Sequence, residues 1–336
     1  MKTTLLALTT TAAITAALFA QGDLNPPPGG PSATMKTLDQ LEARTPIPKS
    51  PATPVAGPHF TITASGSYYL TGNITVSTGS AIVVADGINN VTLNLNGFTI
   101  ASALTGSASG TAIELLGNPS GVSISHGNIS SGTTVTSAGV VTPAGFENGI
   151  DGPDRYFYPN ALVTQVHVSG VASNGIRVGQ GTVTECNAIN CGGSGIVCET
   201  ITNSIANRCG IIGISAVTAT NCSGDAASTY GISCNGNAIN CSGSSYNGTG
   251  LSCYSNATNC SGTSVSSNGF ECRGNATNCT GSTNNTNYSG ISVDGTASFC
   301  RGENTNGGRA LYAAIAIGCT SVRGTISSPS KQLGTP

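Results

Sequence analysis

A single register of about nineteen residues runs through the second half of the chain and constrains its fold more than any other feature. The stretches GISCNGNAINCSGSSYNGT, GLSCYSNATNCSGTSVSSN and GFECRGNATNCTGSTNNTNYS begin at Gly231, Gly250 and Gly269, a period of 19. Extended outward, the same frame meets Gly175, Gly195, Gly213 and Gly290, and a last unit begins near Arg309. All 13 cysteines lie in this region, in three columns of the frame. The longest holds Cys186, Cys222, Cys241, Cys260, Cys279, Cys300 and Cys319, with Ser204 in the one remaining place. Cys198, Cys234, Cys253 and Cys272 form the second, and Cys191 and Cys209 the third. A further column, Val183, Ile201, Ala219, Ala238, Ala257, Ala276, Ala297 and Ala316, is uniformly apolar.

Like side chains at one register mean that successive units stack directly, with equivalent positions about 4.8 Å apart as in any hydrogen-bonded strand pair. A 19-residue unit has no room for an ordinary helix plus strands, and the leucine-rich signature is absent. The remaining solution is an all-β solenoid, a parallel β-helix with about three short strands per coil. Its apolar and thiol columns point inward. Asn203, Asn221, Asn240, Asn259 and Asn278 immediately precede the cysteine column, where asparagine suits a left-handed bend and a stacked amide ladder. Upstream, Phe60–Ile62, Ile82–Val84, Val91–Leu95, Ala112–Leu115 and Val122–Ile124 read as strands of about five less regular coils, giving 12–13 coils in all. Composition agrees: 46 glycines, no tryptophan, and 38% apolar residues, too many for a disordered chain.

The ends of the chain differ in character. Residues 1–20, with Lys2, an apolar run and Ala20 at the end, read as a secretory signal peptide, so the expected location is secreted, periplasmic or on the outer surface. Residues 21–58 form a proline-rich leader in which Ser32–Arg44, with Met35, Leu38 and Leu41 on one face, predicts a short helix stopped by Pro46. The β-helix is expected over 59–330, interrupted by an irregular insertion at 131–160, with a tail at 331–336. No further segment has the length of apolar chain that a membrane helix requires.

SGSYYLTGNITV followed by NNVTLNLNGFTI and the GI-x-C/NAINC repeats resembles the secreted right-handed parallel β-helix proteins of the pectate-lyase-like superfamily, and the leader ATMKTLDQLEARTPI is similar to that of exported bacterial members. The resemblance spans nearly all of the chain beyond the signal peptide. It implies a right-handed solenoid. The superfamily includes polysaccharide lyases, glycoside hydrolases and adhesins, so it does not by itself imply one activity.

The residues narrow the chemistry. Thirteen thiols cannot all pair within one chain, and stacked neighbours about 4.8 Å apart exceed the ~3.8 Å Cβ separation that a disulfide prefers, so buried free thiols are expected. No CxxC pair exists and none of the three histidines has ligand spacing with a cysteine, so neither a metal nor a cofactor is expected. With 8% charged residues and no lysine between Lys49 and Lys331, there is no basic face for nucleic acid. Asn-x-Ser/Thr triplets are many, as composition dictates, and are read as turn and ladder chemistry.

The acids of the regular coils scatter over the frame, whereas the insertion concentrates chemistry. GFENGIDGPDRYFYPN brings Glu147, Asp151, Asp154 and Arg155 beside Tyr156, Phe157 and Tyr158, and His126, His167 and Arg177 lie on flanking coils. These residues are the candidate ligand-binding set, because acids, an arginine and aromatic faces bind sugar hydroxyls and irregular loops on rigid scaffolds carry function. A loop that merely covers the coil, with Asp151-Gly152 making a turn, remains the other reading. His126-Gly127 matches part of the GHG motif of pectin-degrading glycosidases, but their paired-Asp and Arg-Ile-Lys motifs are missing, so no catalytic residue is assigned. The expectation leans away from an enzyme, toward a non-catalytic structural or polysaccharide-binding protein. The alternative is a polysaccharide lyase or glycoside hydrolase working through 131–160. Oligomeric state stays open.

Overall fold

The structure, a computed structural model, describes residues 44–117, 119–151 and 160–334. The signal peptide, the helix read over 32–44 and most of the proline-rich leader lie outside the described residues, as do Asp154, Arg155, Tyr156, Phe157 and Tyr158. From Thr45 onward the chain winds into a right-handed parallel β-solenoid of about 14 turns, without a helix among the described residues.

One coil shows why the repeat folds as it does. Tyr230–Cys234, Ala238–Ile239 and Ser242–Ser245 are its three strands, and each pairs in parallel with its counterpart in the next coil. The repeat isoleucine continues from coil to coil as Ile214, Ile232, Leu251, Phe270, Ile291 and Leu311, all fully buried. The small apolar column runs beside it, Ala238 over Ala257 over Ala276, and all thirteen cysteines are buried free thiols. Thus every inward column that the spacing defines is an inward column of the solenoid.

Two glycine rows serve close approach rather than bending. A Cβ built on Gly243 would lie 2.2 Å from the carbonyl oxygen of Gly250, which is backbone and cannot move aside cheaply. The strand and the start of the next coil therefore touch through bare backbone. The bend itself belongs to asparagine. Asn203, Asn221, Asn240, Asn259 and Asn278 all have φ between 49° and 54°, the left-handed region that asparagine tolerates best among residues with a side chain. Their amides form a ladder: Asn221 Nδ2 donates to Asn203 Oδ1 at 3.0 Å, Asn240 to Asn221 at 3.0 Å, and Asn259 to Asn240 at 3.2 Å.

The upstream coils keep the stacking but carry loops. Ile62 pairs with Val84, Val84 with Leu115 and Ile113 with Ile150, so these turns take 22, 31 and 37 residues where a regular coil takes about 19. Strand structure starts inside the stretch read as leader. Thr45–Ile47 pairs with Tyr68–Leu70, Ile47 is fully buried, and Val55 bridges Val76. Pro46 is accommodated because this strand pairs on one side only among the described residues, so its missing N–H breaks no ladder. This additional winding is why the turns slightly outnumber the 12–13 coils read from the repeat. Within 131–160, Thr134–Val135 and Val141–Thr142 make a small antiparallel pair, and Asn148–Asp151 returns to the solenoid. At the other end Lys331–Leu333 still pairs with Ile315–Ile317.

Candidate functional site

The position between the two inward residues of the first strand lies on the outer side, and along the regular coils it reads Val197, Ser215, Ser233, Ser252, Glu271, Ser292 and Tyr312, with a charge on only one of the seven. Where the insertion joins the solenoid, that row becomes charged. Asp151 pairs in register with Glu114 on the preceding coil, and Ile150 with Ile176, which sets Arg177 beside Asp151 on the following one. Arg177 Nε donates to Asp151 Oδ1 at 2.5 Å, and the two side chains are only 15% and 1% exposed. A desolvated aspartate against a guanidinium is a charge-assisted pair held in one geometry by two rigid strands.

Around this pair lies a groove of about 540 Å³, which Glu114, Glu147, Asn148, Asn174 and Thr111 help to line. Glu114 is oriented by Ser80, whose hydroxyl donates to Glu114 Oε2 at 2.7 Å and accepts the Thr111 N–H at 3.0 Å. Asn148 Oδ1 accepts the Asn174 backbone N–H at 3.0 Å, locking those two amides across adjacent coils. Glu147 is exposed at the rim, its own carbonyl accepting from the Ser173 N–H at 2.7 Å. The groove thus presents acceptors along the solenoid axis, with one acid neutralised by Arg177, Glu114 held by Ser80 and Glu147 exposed at the rim.

His126 and His167 stand elsewhere. They line a separate, shallower groove of about 410 Å³ with Gln165, Glu185, Asn128 and Asn187, sharing no lining residue with the first. His126, Gln165 and Glu185 have φ of 59°, 53° and 54°, so they occupy the same left-handed bend that the asparagine ladder fills farther on. Gln165 Nε2 donates to Glu185 Oε2 at 2.8 Å, and His167 is in register with Asn128 and Asn187. Of the described candidate residues, then, Glu147, Asp151 and Arg177 come together, and the two histidines form a different pair.

Glu114 is the groove residue that sequence reasoning missed. The alternation AIEL puts it on the outward face of a strand, but its register against Asp151 spans 37 residues of irregular coil, which no repeat marks. Among the described residues no three His, Cys, Asp or Glu side chains are grouped to hold a metal ion, and no helix is long and apolar enough to cross a membrane.

No protein-family model matches the chain, and no curated protein matches it. Among solved structures the chain is similar to the A-module of mannuronan C-5 epimerase AlgE4 from Azotobacter vinelandii, at 13% identity and a TM-score of 0.45, over 80% of this chain and 88% of that one. The A-module of epimerase AlgE6 from the same organism gives 14% identity and a TM-score of 0.43, over 81% and 90%. Tailspike protein 2 of Escherichia coli O157:H7 bacteriophage CBA120 gives 13% identity and a TM-score of 0.24, over 79% of this chain but 34% of that one. These neighbours are, like this chain, parallel β-helix proteins.

Proposed function

We propose that the protein is a secreted, non-catalytic β-helix that holds a neutral polysaccharide along the groove of Glu114, Glu147, Asp151 and Arg177. The observation that carries this reading is the charged row itself, built across three successive coils, with Glu114 held by Ser80 and Asp151 by Arg177. Carboxylates only accept hydrogen bonds, and sugar hydroxyls readily donate them. The excess of two glutamates over the Asp151–Arg177 pair disfavours an anionic chain. Asp151 is committed to Arg177 and Glu114 to Ser80, which suits positioning better than proton transfer.

Gel electrophoresis through matrices containing neutral or acidic polysaccharides tests it. Retardation by a neutral glycan is expected, weakened about tenfold or more by Glu114→Gln with Glu147→Gln, since hydrogen bonds to charged groups contribute about 1.5–3 kcal/mol. Unchanged retardation of the double variant would remove the groove from consideration. A second reading, hydrolysis, is favoured by one feature: Glu114 and Asp151 are carboxylates on adjacent coils, an arrangement glycosidases use. Release of new reducing ends, lost in Glu114→Gln, would establish it instead.

A further inference from the structure

Cys222, Cys241, Cys260, Cys279, Cys300 and Cys319 lie on six consecutive coils, because the residues that follow them pair in register: Ser223 with Ser242, Ser242 with Ser261, Ser261 with Thr280, Thr280 with Arg301 and Arg301 with Thr320. Their side chains share one contact, and Cys300 and Cys319 also reach the carbonyl oxygens of Ala276 at 3.5 Å and Ala297 at 3.3 Å on the preceding coil. Each Sγ contacts the carbonyl oxygen two residues earlier, at 3.1 Å for Cys222, 3.2 Å for Cys241, 3.3 Å for Cys260 and Cys279, 3.4 Å for Cys300 and 3.6 Å for Cys319. All are at most 3% exposed. In the second column Cys234 pairs with Cys253 and Cys253 with Cys272, and the pairing of Ala188 with Ala206 and Ile189 with Asn207, continued by two residues, sets Cys191 against Cys209.

The spacing that is too long for a disulfide is right for a metal bridge. In-register residues repeat every ~4.8 Å, and two metal–thiolate bonds of about 2.3 Å laid end to end span about 4.6 Å. Because each Sγ reaches a carbonyl oxygen of its own coil, across the axis rather than along it, an ion between two stacked sulfurs would meet each at the bent angle that divalent sulfur prefers. A sulfur cannot hold an ion on both sides without opening to a straight angle, so thiols would be used in pairs. The groupings that suit three- or four-coordinate metals are absent among the described residues. What is left is an ion content with two collinear thiolates.

We propose that pairs of stacked thiols in these columns are linear, two-coordinate sites for a soft divalent cation of the mercury(II) type. Soft ions select thiolate ligands. With mercury(II) chloride the exchange balances: two S–H and two Hg–Cl bonds break, two S–Hg bonds form, two protons and two chloride ions leave to solvent, and mercury stays divalent. The product is electrically neutral, so a dry interior accepts it where a lone thiolate or a bare cation would be costly. The long column holds three such sites, the Cys234–Cys253–Cys272 column one, and Cys191–Cys209 one, while Cys186 is set apart from Cys222 by Ser204.

Because the native core is closed, mercury(II) chloride would be supplied while the full chain refolds, and protein-bound mercury counted after desalting against excess glutathione. Five ions per chain with native β-type circular dichroism are expected. Two double variants leave the same number of thiols but different numbers of adjacent pairs. Cys260→Ser with Cys279→Ser keeps two pairs in the long column and should lose one ion, whereas Cys241→Ser with Cys279→Ser keeps one pair and should lose two. Serine already occupies this column at Ser204. Should either double variant fail to fold, Cys319→Ser is expected to lose one ion and Cys186→Ser none. Equal mercury in the paired comparisons, or loss of β-structure when the wild-type chain refolds with mercury, would overturn the proposal.

Discussion

Residues 203, 221, 240, 259 and 278 show how one side chain can serve two purposes at once. Asparagine tolerates the left-handed bend and its amide joins the ladder, so the two contributions can be separated by substitution. Asn240→Gly removes the two ladder hydrogen bonds that Asn240 makes but keeps φ near 52° comfortable. Asn240→Ala removes the same bonds and adds strain of about 1–2 kcal/mol for an alanine in that region. Both should destabilise, and alanine more than glycine by about that amount, measured from urea midpoints. Equal losses would assign the asparagine entirely to its hydrogen bonds. The identity of this column was legible in the sequence because it recurs. The reason for the glycines was not, since the place a Cβ on Gly243 would take, 2.2 Å from the Gly250 carbonyl oxygen, is closed by the backbone of another coil and leaves no mark on neighbouring residue types.

Strands and their columns set the pH response. Burial pushes the Cys186 thiol up to about 11 and Cys198 up to about 12, from an ordinary 9.0. The sign follows from proton counting. Below pH 9 these thiols are neutral in folded and unfolded chains alike, and they impose no pH dependence. Above 9 the unfolded chain releases protons that the folded one retains, so stability falls as pH rises toward 11–12. Thermal midpoints should therefore be flat from pH 7 to 8 and drop through pH 9–11, and Cys198→Ala should shrink that slope. A drop of unchanged steepness in the variant would mean that Cys198 is not among its sources. At this scale legibility divided at the insertion. Downstream, a repeat of 18 to 21 residues marks the partners of the strands that carry the columns. Upstream, loops of unequal length separate partners such as Ile113 and Ile150, and alternation alone gives a strand's inner face but not its neighbour. That is why Asp151 and Arg177 were recognisable as candidates while Glu114, their companion, was not.

For the molecule as a whole, stability is close to a sum over coils and the interfaces between them. Each regular coil presents to the next the same surface that it receives. Removing Gly250–Asn268 would set Cys234 on Cys272, Ala238 on Ala276 and Asn240 on Asn278, renewing every column without a seam. The shortened chain is expected to fold, with β-type circular dichroism in proportion to its length and a cooperative unfolding transition. Removing Gly250–Tyr254, which breaks the frame, should abolish folding. If both deletions behaved alike, the coil would not be the unit of assembly. A unit whose two faces are interchangeable contains no instruction about how many copies to make. The number of turns is therefore a property of the gene's length rather than of its folding code, and slippage by one repeat during copying would yield a longer or shorter protein that is still a protein. Such a scaffold can adjust its reach without relearning how to fold, while the groove beside Asp151, laid on the irregular coils, stays fixed in place.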